Sequence, residues 1–397
     1  MIVGYYDHFP PKGLGVEIAT RPNPSNGQLR KVLVVSKDVK AGDVVYKEHP
    51  IVGVLDFDVQ AVGTHCSHCM RVVEPEEAIK LPGDPLSSIY CSTVCQSAAK
   101  NQSHSLLFSL ERPLPEEIPT EPVTAEQLEA RRKAQTQYVD YIKKNGKAGP
   151  LLVGRFIARQ IALETSKLIP GATPTRNEND FVDADGGDYL LADHLERLRF
   201  LELNPPKEEV ELITEVLKNV LPGLESFVTD ERYAVLLGKM AYNAYGVSYN
   251  GGRDDRSADA RPEDLERTRT PHGTARQIGT GIYTVASYLS HSCDPNVRPV
   301  FDGTSELQLV ANKDLKEGDE LTISYVDSTI HEGESQLDAR RRRRMELARG
   351  WRFACGCEKC MEEAVELGLE GADAKGKDES KVEQSYSNYE QNESTTL

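Results

Sequence analysis

The spacing of the cysteines constrains this chain more than any other feature. Cys66 and Cys69 stand in a C-x2-C pair, and after 21 intervening residues Cys91 and Cys95 form C-x3-C. Cys355, Cys357 and Cys360 form C-x-C-x2-C, and Cys293 is the eighth cysteine of the sequence. Four soft thiolates arriving in two close pairs suit a tetrahedral structural zinc. A centre with four protein ligands has no open position, so it holds chain segments together and does not activate water. The competing reading is four buried cysteines without metal, which the close pairing disfavours. The second group is one ligand short, and counting supplies Cys293. Eight cysteines then make two four-cysteine sites with none left over. On that count Cys293 ties its own segment to the C-terminal knuckle.

Composition bounds the compartment and the partners. The 397 residues are 39% hydrophobic and 28% charged, with a mean hydropathy of -0.49. That is enough chain for one large domain with insertions, or for two to three ordinary domains. The longest apolar runs, such as Ile51 to Leu55, fall far short of the ~20 residues a membrane helix needs. The N-terminal stretch MIVGYYDHFPPKG has no basic region followed by an apolar one, so no secretory signal is read. The expected location is the nucleus and/or the cytoplasm, where disulfides are disfavoured. Net charge is -16, and residues 361–397 carry ten acidic against three basic side chains. Such a balance argues against general nucleic-acid binding and suits a basic partner, although solubility alone explains it equally well. A monomer without membrane association is expected.

Patterning gives an α+β chain. KVLVVS at Lys31 to Ser36, Val44 to Tyr46 and Ile51 to Leu55 read as strands around the polar turn DVKAGD. Residues 111–124 are rich in Pro and Glu and read as a linker. Helical periodicity follows over 124–166, then at 190–202, 207–220 and 230–243. Residues 250–277 form a polar loop dense in Arg and Asp. Strand signals return at Ile282 to Leu289, Val297 to Phe301, Leu307 to Ala311 and Leu321 to Tyr325, and 334–349 reads as a helix. Beyond Gly368 the composition predicts disorder. The outer β segments are expected to pack together, with the helical middle as an insertion.

Two stretches carry a resemblance. YLSHSCDPN at Tyr288 to Asn296 and EGDELTISYVD at Glu317 to Asp327 resemble the paired C-terminal motifs of SET-domain lysine methyltransferases, NHSC-x-PN and E-L-T-x-x-Y. KGLGVEIAT at Lys12 to Thr20 is similar to the family's Gly-rich turn and strand. C-x-C-x2-C after the final Tyr matches the post-SET knuckle, whose fourth ligand in the family is the Cys of NHSC, in agreement with the count for Cys293. The position of Cys66 to Cys95 resembles the finger of SET–MYND (SMYD-like) proteins. The cysteines of that finger's second site are absent, and only His104 hints at it. The chain looks like the short fungal-type branch, whose members are described as histone methyltransferases. The resemblance covers roughly residues 10–362. It implies a SET β-fold of small curved sheets. Its parts would be an N-terminal SET part (1–58), a MYND-like finger (59–110), linker and helical insertion (111–242), SET core (243–327), helix and post-SET knuckle (328–362) and an acidic tail (363–397).

The resemblance implies S-adenosylmethionine as methyl donor, two structural zinc ions and a basic protein substrate such as a histone tail. Tyr325 matches the active-site Tyr, which would orient the lysine amine. Tyr283 and Tyr245 would line the lysine channel, with ordinary core aromatics as the competing reading. Lys12, Gly13 and Gly15 would form the loop at the cofactor's methionine end. Asn243, Ser290, His291 and Phe353 would contact the cofactor, His291 through its backbone and Phe353 by stacking on adenine. Ser290 stands where the family has Asn, and Ser is shorter and lacks the amide. Two alternatives stay open: the same chemistry on a ribosomal or translation protein, and a zinc-dependent interaction module with a decayed site. The five arginines Arg340 to Arg344 read as a solvated helix face, with a localisation signal or nucleic-acid contact as the lesser readings.

Overall fold

The computed structural model describes residues 4–23, 27–113, 122–167, 178–184, 188–253, 266–270 and 276–371, and the backbone of Lys377–Asp378. Most of the acidic tail, with its expected disorder, and most of the 250–277 loop lie outside the described residues.

Strands β1 (Val16–Pro22), β2 (Leu29–Val35), β3 (Val44–Glu48) and β4 (Val52–Leu55) come first. The cysteine-rich segment holds β5 (Ile79–Lys80), β6 (Ile89–Tyr90) and helix α1 (Thr93–Ala99). Helices α2 (Ala125–Asn145), α3 (Ala148–Ser166), α4 (Lys207–Val220) and α5 (Asp230–Asn243) make the middle. Next come β7 (Tyr245–Val247), β8 (Gly279–Ile282), β9 (Ser290–His291), β10 (Val297–Phe301), β11 (Leu307–Ala311) and β12 (Thr322–Ile323). Helix α6 (Gln336–Trp351), β13 (Phe353–Ala354) and helix α7 (Glu358–Glu366) follow.

The sheets are small and join distant parts of the sequence. The β1–β2 hairpin is antiparallel, β3 edges a sheet of order β10-β11-β3, and β4 pairs with β8 in the order β4-β8-β7. N-terminal and C-terminal strands therefore share sheets, as the split β pattern led one to expect. Val32 to Val35 of β2 are all buried. The β-branched run thus sits in a core rather than on a half-solvated face.

The helical middle has its own reasons to form. In α2 the Thr124 hydroxyl accepts from Gln127 N, and the Gln127 side chain accepts from Thr124 N, a capping box; Gly146 in the left-handed region ends the helix. In α4 the buried positions Val210, Ile213, Val216, Leu217 and Val220 recur at three- and four-residue steps. Helix α3 is buried on most of its surface, with Leu152, Val153, Phe156 and Ile157 each at most 2% exposed. Its Arg155 and Arg159 donate to the carbonyls of Gly53 and Ile51, and Arg159 pairs with Asp180 at 2.7 Å. These bonds fix the helical layer to β4. The helices and β4 share one apolar cluster, the SET sheets form a second, and a small third gathers Cys66, Val73, Ile89 and Tyr90.

Two strand expectations differ from the structure. The run from Ile282 to Leu289 holds only the end of β8; Ala286–Tyr288 is a 3-10 turn. The run from Leu321 to Tyr325 holds a two-residue strand, β12. Side-chain bonds described below bend both segments.

Candidate active site and zinc centres

The four sulfurs of Cys66, Cys69, Cys91 and Cys95 lie within 4.8 Å of one another, as do those of Cys293, Cys355, Cys357 and Cys360. A tetrahedral ion with Zn–S of 2.3 Å places its sulfurs about 3.8 Å apart. The Cys69–Cys91 and Cys91–Cys95 separations are 3.7 and 3.5 Å, and the Cys293–Cys355 and Cys293–Cys360 separations are 3.9 and 3.6 Å. Both groups therefore fit zinc, and each could hold one ion. Ser92 caps α1 by accepting from Cys95 N, which sets Cys91 and Cys95 one turn apart. Ser305 N donates to Cys69 O at 2.8 Å and joins the finger to the β10–β11 turn.

The arginine run belongs to the second centre. Arg340 and Arg343 are buried rather than solvated. Arg340 Nε donates to Cys360 O and Arg344 Nη1 to Cys355 O. Arg343 pairs with Glu363 at 2.5 Å, while its Nε and Nη1 are buried without a hydrogen-bond partner. Burial opposes the Arg343 charge, but Cys293, Glu363 and Cys360 more than offset it and raise the pKa. A zinc held there by four thiolates would carry a net charge of -2, which the Arg343 cation would partly offset. In this run only Arg341 matches the reading of a solvated face, with a 4.0 Å ion pair to Asp338.

The parallel pair β9–β12 aligns Ser290 with Thr322 and His291 with Ile323. Asn296 holds β12 in place, donating to Glu320 O and accepting from Thr322 N, both at 2.8 Å. This pairing brings His291 to Tyr325: Tyr325 N donates to His291 Nδ1 at 3.1 Å. Burial holds the imidazole neutral, with its pKa pushed down to about 4, so it orients backbone and is no general base. The rings of His291, Trp351 and Phe353 surround Tyr325 at 5.3, 5.3 and 6.4 Å.

The turn between β8 and β9 is gripped from both sides. The Glu48 carboxylate, fully buried, accepts from Thr284 Oγ1, Val285 N and Ala286 N at 2.8, 2.8 and 3.0 Å. Burial raises its pKa to about 7. On the carbonyl side, Tyr245 donates to Ala286 O at 2.7 Å, Arg269 to Ser287 O at 3.2 Å and Tyr325 to Leu289 O at 2.6 Å. Tyr283 packs edge-on to Tyr245 at 5.5 Å and donates to Ser305 O. The structure thus brings Tyr325, Tyr245 and Tyr283 into one buried file. Tyr46 of β3 is a fourth tyrosine that the sequence did not single out; its hydroxyl is buried without a hydrogen-bond partner.

Arg269 closes the file. Its Nε donates to Tyr242 O and its Nη2 to Asn243 Oδ1, both at 3.0 Å. Its guanidinium lies 4.6, 5.1 and 5.8 Å from the ring centroids of Tyr325, Tyr242 and Tyr245. Carbonyl oxygens and aromatic faces thus hold the guanidinium. The basic groups lining the adjoining slot, Lys31, Arg197 and Arg199, would suit the carboxylate of S-adenosylmethionine rather than its sulfonium or ammonium. Asn243 uses its amide on Arg199 O, Lys239 O and Arg269.

Ser290 accepts from Arg30 Nη1 at 2.5 Å, and Arg30 pairs with Glu320 through both nitrogens at 2.8 and 3.1 Å. Gly13 and Gly15 both have positive φ (95° and 88°), and Gly15 O accepts from Ser36 N at the end of β2. Among the described contacts none joins Lys12, Gly13 or Gly15 to Tyr325. A cleft of about 630 Å³ lies between finger and sheets, lined by His49, Arg71, Glu77, Glu178, Asp180, Glu306 and three of the finger cysteines.

A family model described as SET domain matches residues 30–326, and the chain belongs to the SET-domain family. Its relatives are SET and MYND domain proteins. It is 26% identical to protein-lysine N-trimethyltransferase SMYD5 of Mus musculus, with 84% of each chain covered. A SET and MYND domain-containing protein of Dictyostelium discoideum is 45% identical, and histone-lysine N-methyltransferase SMYD3 of Homo sapiens 39% identical. Those two matches cover 21% of this chain, and only 15% and 18% of the relatives. Family and relatives make the chain an S-adenosylmethionine-dependent protein-lysine methyltransferase. No helix among the described residues is long and apolar enough to cross a membrane.

Proposed function

We propose that the chain methylates a lysine on a basic protein segment, a histone tail in the first instance, and so acts in the nucleus. The observation that carries this reading is the file Tyr325–Tyr245–Tyr283. It runs from the His291 and Phe353 side of the molecule to Ser305 in the wall of the finger cleft. The cofactor side would comprise Lys12, Gly13, Gly15, Asn243, Ser290, His291, Tyr325 and Phe353. When bound, S-adenosylmethionine supplies an electrophilic methyl on a sulfonium. Tyr245 and Tyr283, fully buried, favour the neutral form of an incoming amine by excluding water. Tyr325 orients that amine through its hydroxyl, so the site works by alignment and electrostatics.

The basic substrate follows from the cleft. Glu77 and Glu178 are exposed in its lining, and a zinc held by the finger cysteines adds a net negative centre. On this reading residues 59–110 form the MYND-like finger, 111–242 the linker and helical insertion, 243–327 the C-terminal SET core and 328–362 the helix and post-SET knuckle. The test uses tritiated cofactor with core histones and ribosomal proteins, and a Glu77→Lys, Glu178→Lys double variant in parallel. Label on a histone lysine is expected, with KM raised and kcat unchanged in the variant. Label on ribosomal proteins alone would move the substrate to that class. No label together with no cofactor binding would leave a zinc-stabilised interaction module.

A further inference from the structure

We propose that His291 is a positioning residue that ties the second cysteine cluster to Tyr325: its Nε2–H donates to the Cys293 sulfur while its Nδ1 holds the Tyr325 backbone amide. The inference rests on the fit of that cluster to zinc and on methyl transfer at Tyr325. The two contacts fix the tautomer. An amide N–H only donates, so Nδ1, 3.1 Å from Tyr325 N, carries a lone pair. The ring proton then sits on Nε2, 3.4 Å from Cys293 Sγ. Cys293 is 1% exposed, and a thiolate withdrawn from water requires donors. In this cluster the Cys357 sulfur accepts from Cys293 N and the Cys355 sulfur from Cys357 N, both at 3.4 Å. Backbone amides serve those two sulfurs. A side chain serves Cys293, and that side chain leads on to Tyr325.

The tyrosine end needs the imidazole for a matching reason. The parallel pairing of β9 with β12 ends at His291 and Ile323, where Ser292 N donates to Ile323 O at 2.9 Å. Tyr325 N lies beyond this ladder in a residue 4% exposed, and the imidazole supplies the acceptor that backbone no longer does. The hydroxyl of Tyr325 is held separately, donating to Leu289 O at 2.6 Å. Zinc on the cluster would keep Cys293 a thiolate, the stronger acceptor for Nε2–H, and so keep the ring turned toward Tyr325 N. The alignment of Tyr325 on an incoming amine then depends, through His291, on the metal centre.

Nuclear magnetic resonance on the full, unaltered chain, nitrogen-labelled at histidine and loaded with spin-active cadmium in place of zinc, tests the cysteine end. One imidazole should carry its proton on Nε2 and show scalar coupling of that proton to cadmium, and this signal should vanish in His291→Asn. Absence of any such imidazole would overturn the inference, and this decides the matter if the variants do not fold. Metal release and kinetics test the relay. His291→Asn keeps an acceptor oxygen near the Nδ1 position but falls short of Cys293. One of its two zinc ions should pass to a chelator at least about tenfold faster, with kcat partly kept. His291→Gln keeps an amide donor near the Nε2 position but loses the acceptor. Its kcat should fall at least about tenfold, with zinc release near that of the unaltered chain and cofactor Kd within a few-fold. The same pattern in both variants, or an unchanged kcat in His291→Gln, would make the histidine a packing residue and overturn the inference. An unaltered chain that labels no lysine would overturn the methyl-transfer reading alone, since the cadmium coupling and zinc release do not depend on it.

Discussion

Glu48 shows how one buried side chain governs the site. It gathers three donors of the Thr284–Ala286 turn, and the carbonyls of Ala286, Ser287 and Leu289 receive Tyr245, Arg269 and Tyr325. Its folded pKa of about 7 lies above the ordinary 4.5 because burial penalises the charge. The folded chain therefore keeps a proton that the unfolded chain releases. Glu48's contribution to stability is full below pH 4.5 and is lost as pH rises through about 7. Urea unfolding should show a smaller decline between about pH 5 and 8 in Glu48→Gln than in the parent. An identical decline in both proteins would contradict this. Tyr325 stood out in the sequence through its motif, whereas Tyr245 and Tyr283 stood out only as aromatics near strands, and the structure places the three in one buried file. Glu48 and Arg30 did not stand out, because their partners lie far away in sequence; Glu48 meets Thr284 across 236 positions and Arg30 meets Ser290 across 260. That contact also gives Ser290 a partner where the shorter side chain leaves the family's amide unreplaced. The arginine run misled for a physical reason: a charge run is normally solvated, and here a cysteine cluster and Glu363 draw it inward.

At the scale of elements, the long helices and outer strands were readable from periodicity, since α4 buries positions three and four apart and β2 is a β-branched run. The 282–289 segment was not. Its composition favours a strand, but the Glu48 carboxylate captures the amides of Val285 and Ala286 and bends the chain into a 3-10 turn. Such tertiary override of local preference is invisible without the partner residue. Helix α3 is the element on which the insertion depends, since it packs against neighbours on most of its surface. Phe156, 0% exposed, fills its centre. Phe156→Ala should cost about 3–5 kcal/mol in denaturant unfolding, with the slope against denaturant unchanged. A cost below about 1 kcal/mol would mean the helix is not the keystone described here.

The whole molecule is a SET domain with two four-cysteine clusters that each could hold zinc, and the two clusters should have separate duties. Cys357→Ser should leave about one zinc per chain by elemental analysis and abolish cofactor binding, because Phe353 and Trp351 pack on Tyr325 beside that knuckle. Cys66→Ser should also leave about one zinc but retain cofactor binding, its damage falling on the cleft. Equal loss of cofactor binding in both variants would contradict that division. Methyl transfer to lysine should pass through Tyr325. The measurement is transfer of label from tritiated S-adenosylmethionine, beside cofactor binding, in the parent and in Tyr325→Phe. A labelled lysine is expected in the parent. A loss of at least about 100-fold is expected in Tyr325→Phe, with cofactor binding changed only a few-fold. Label that persists undiminished in Tyr325→Phe, or a parent that binds cofactor and labels no lysine, would contradict it.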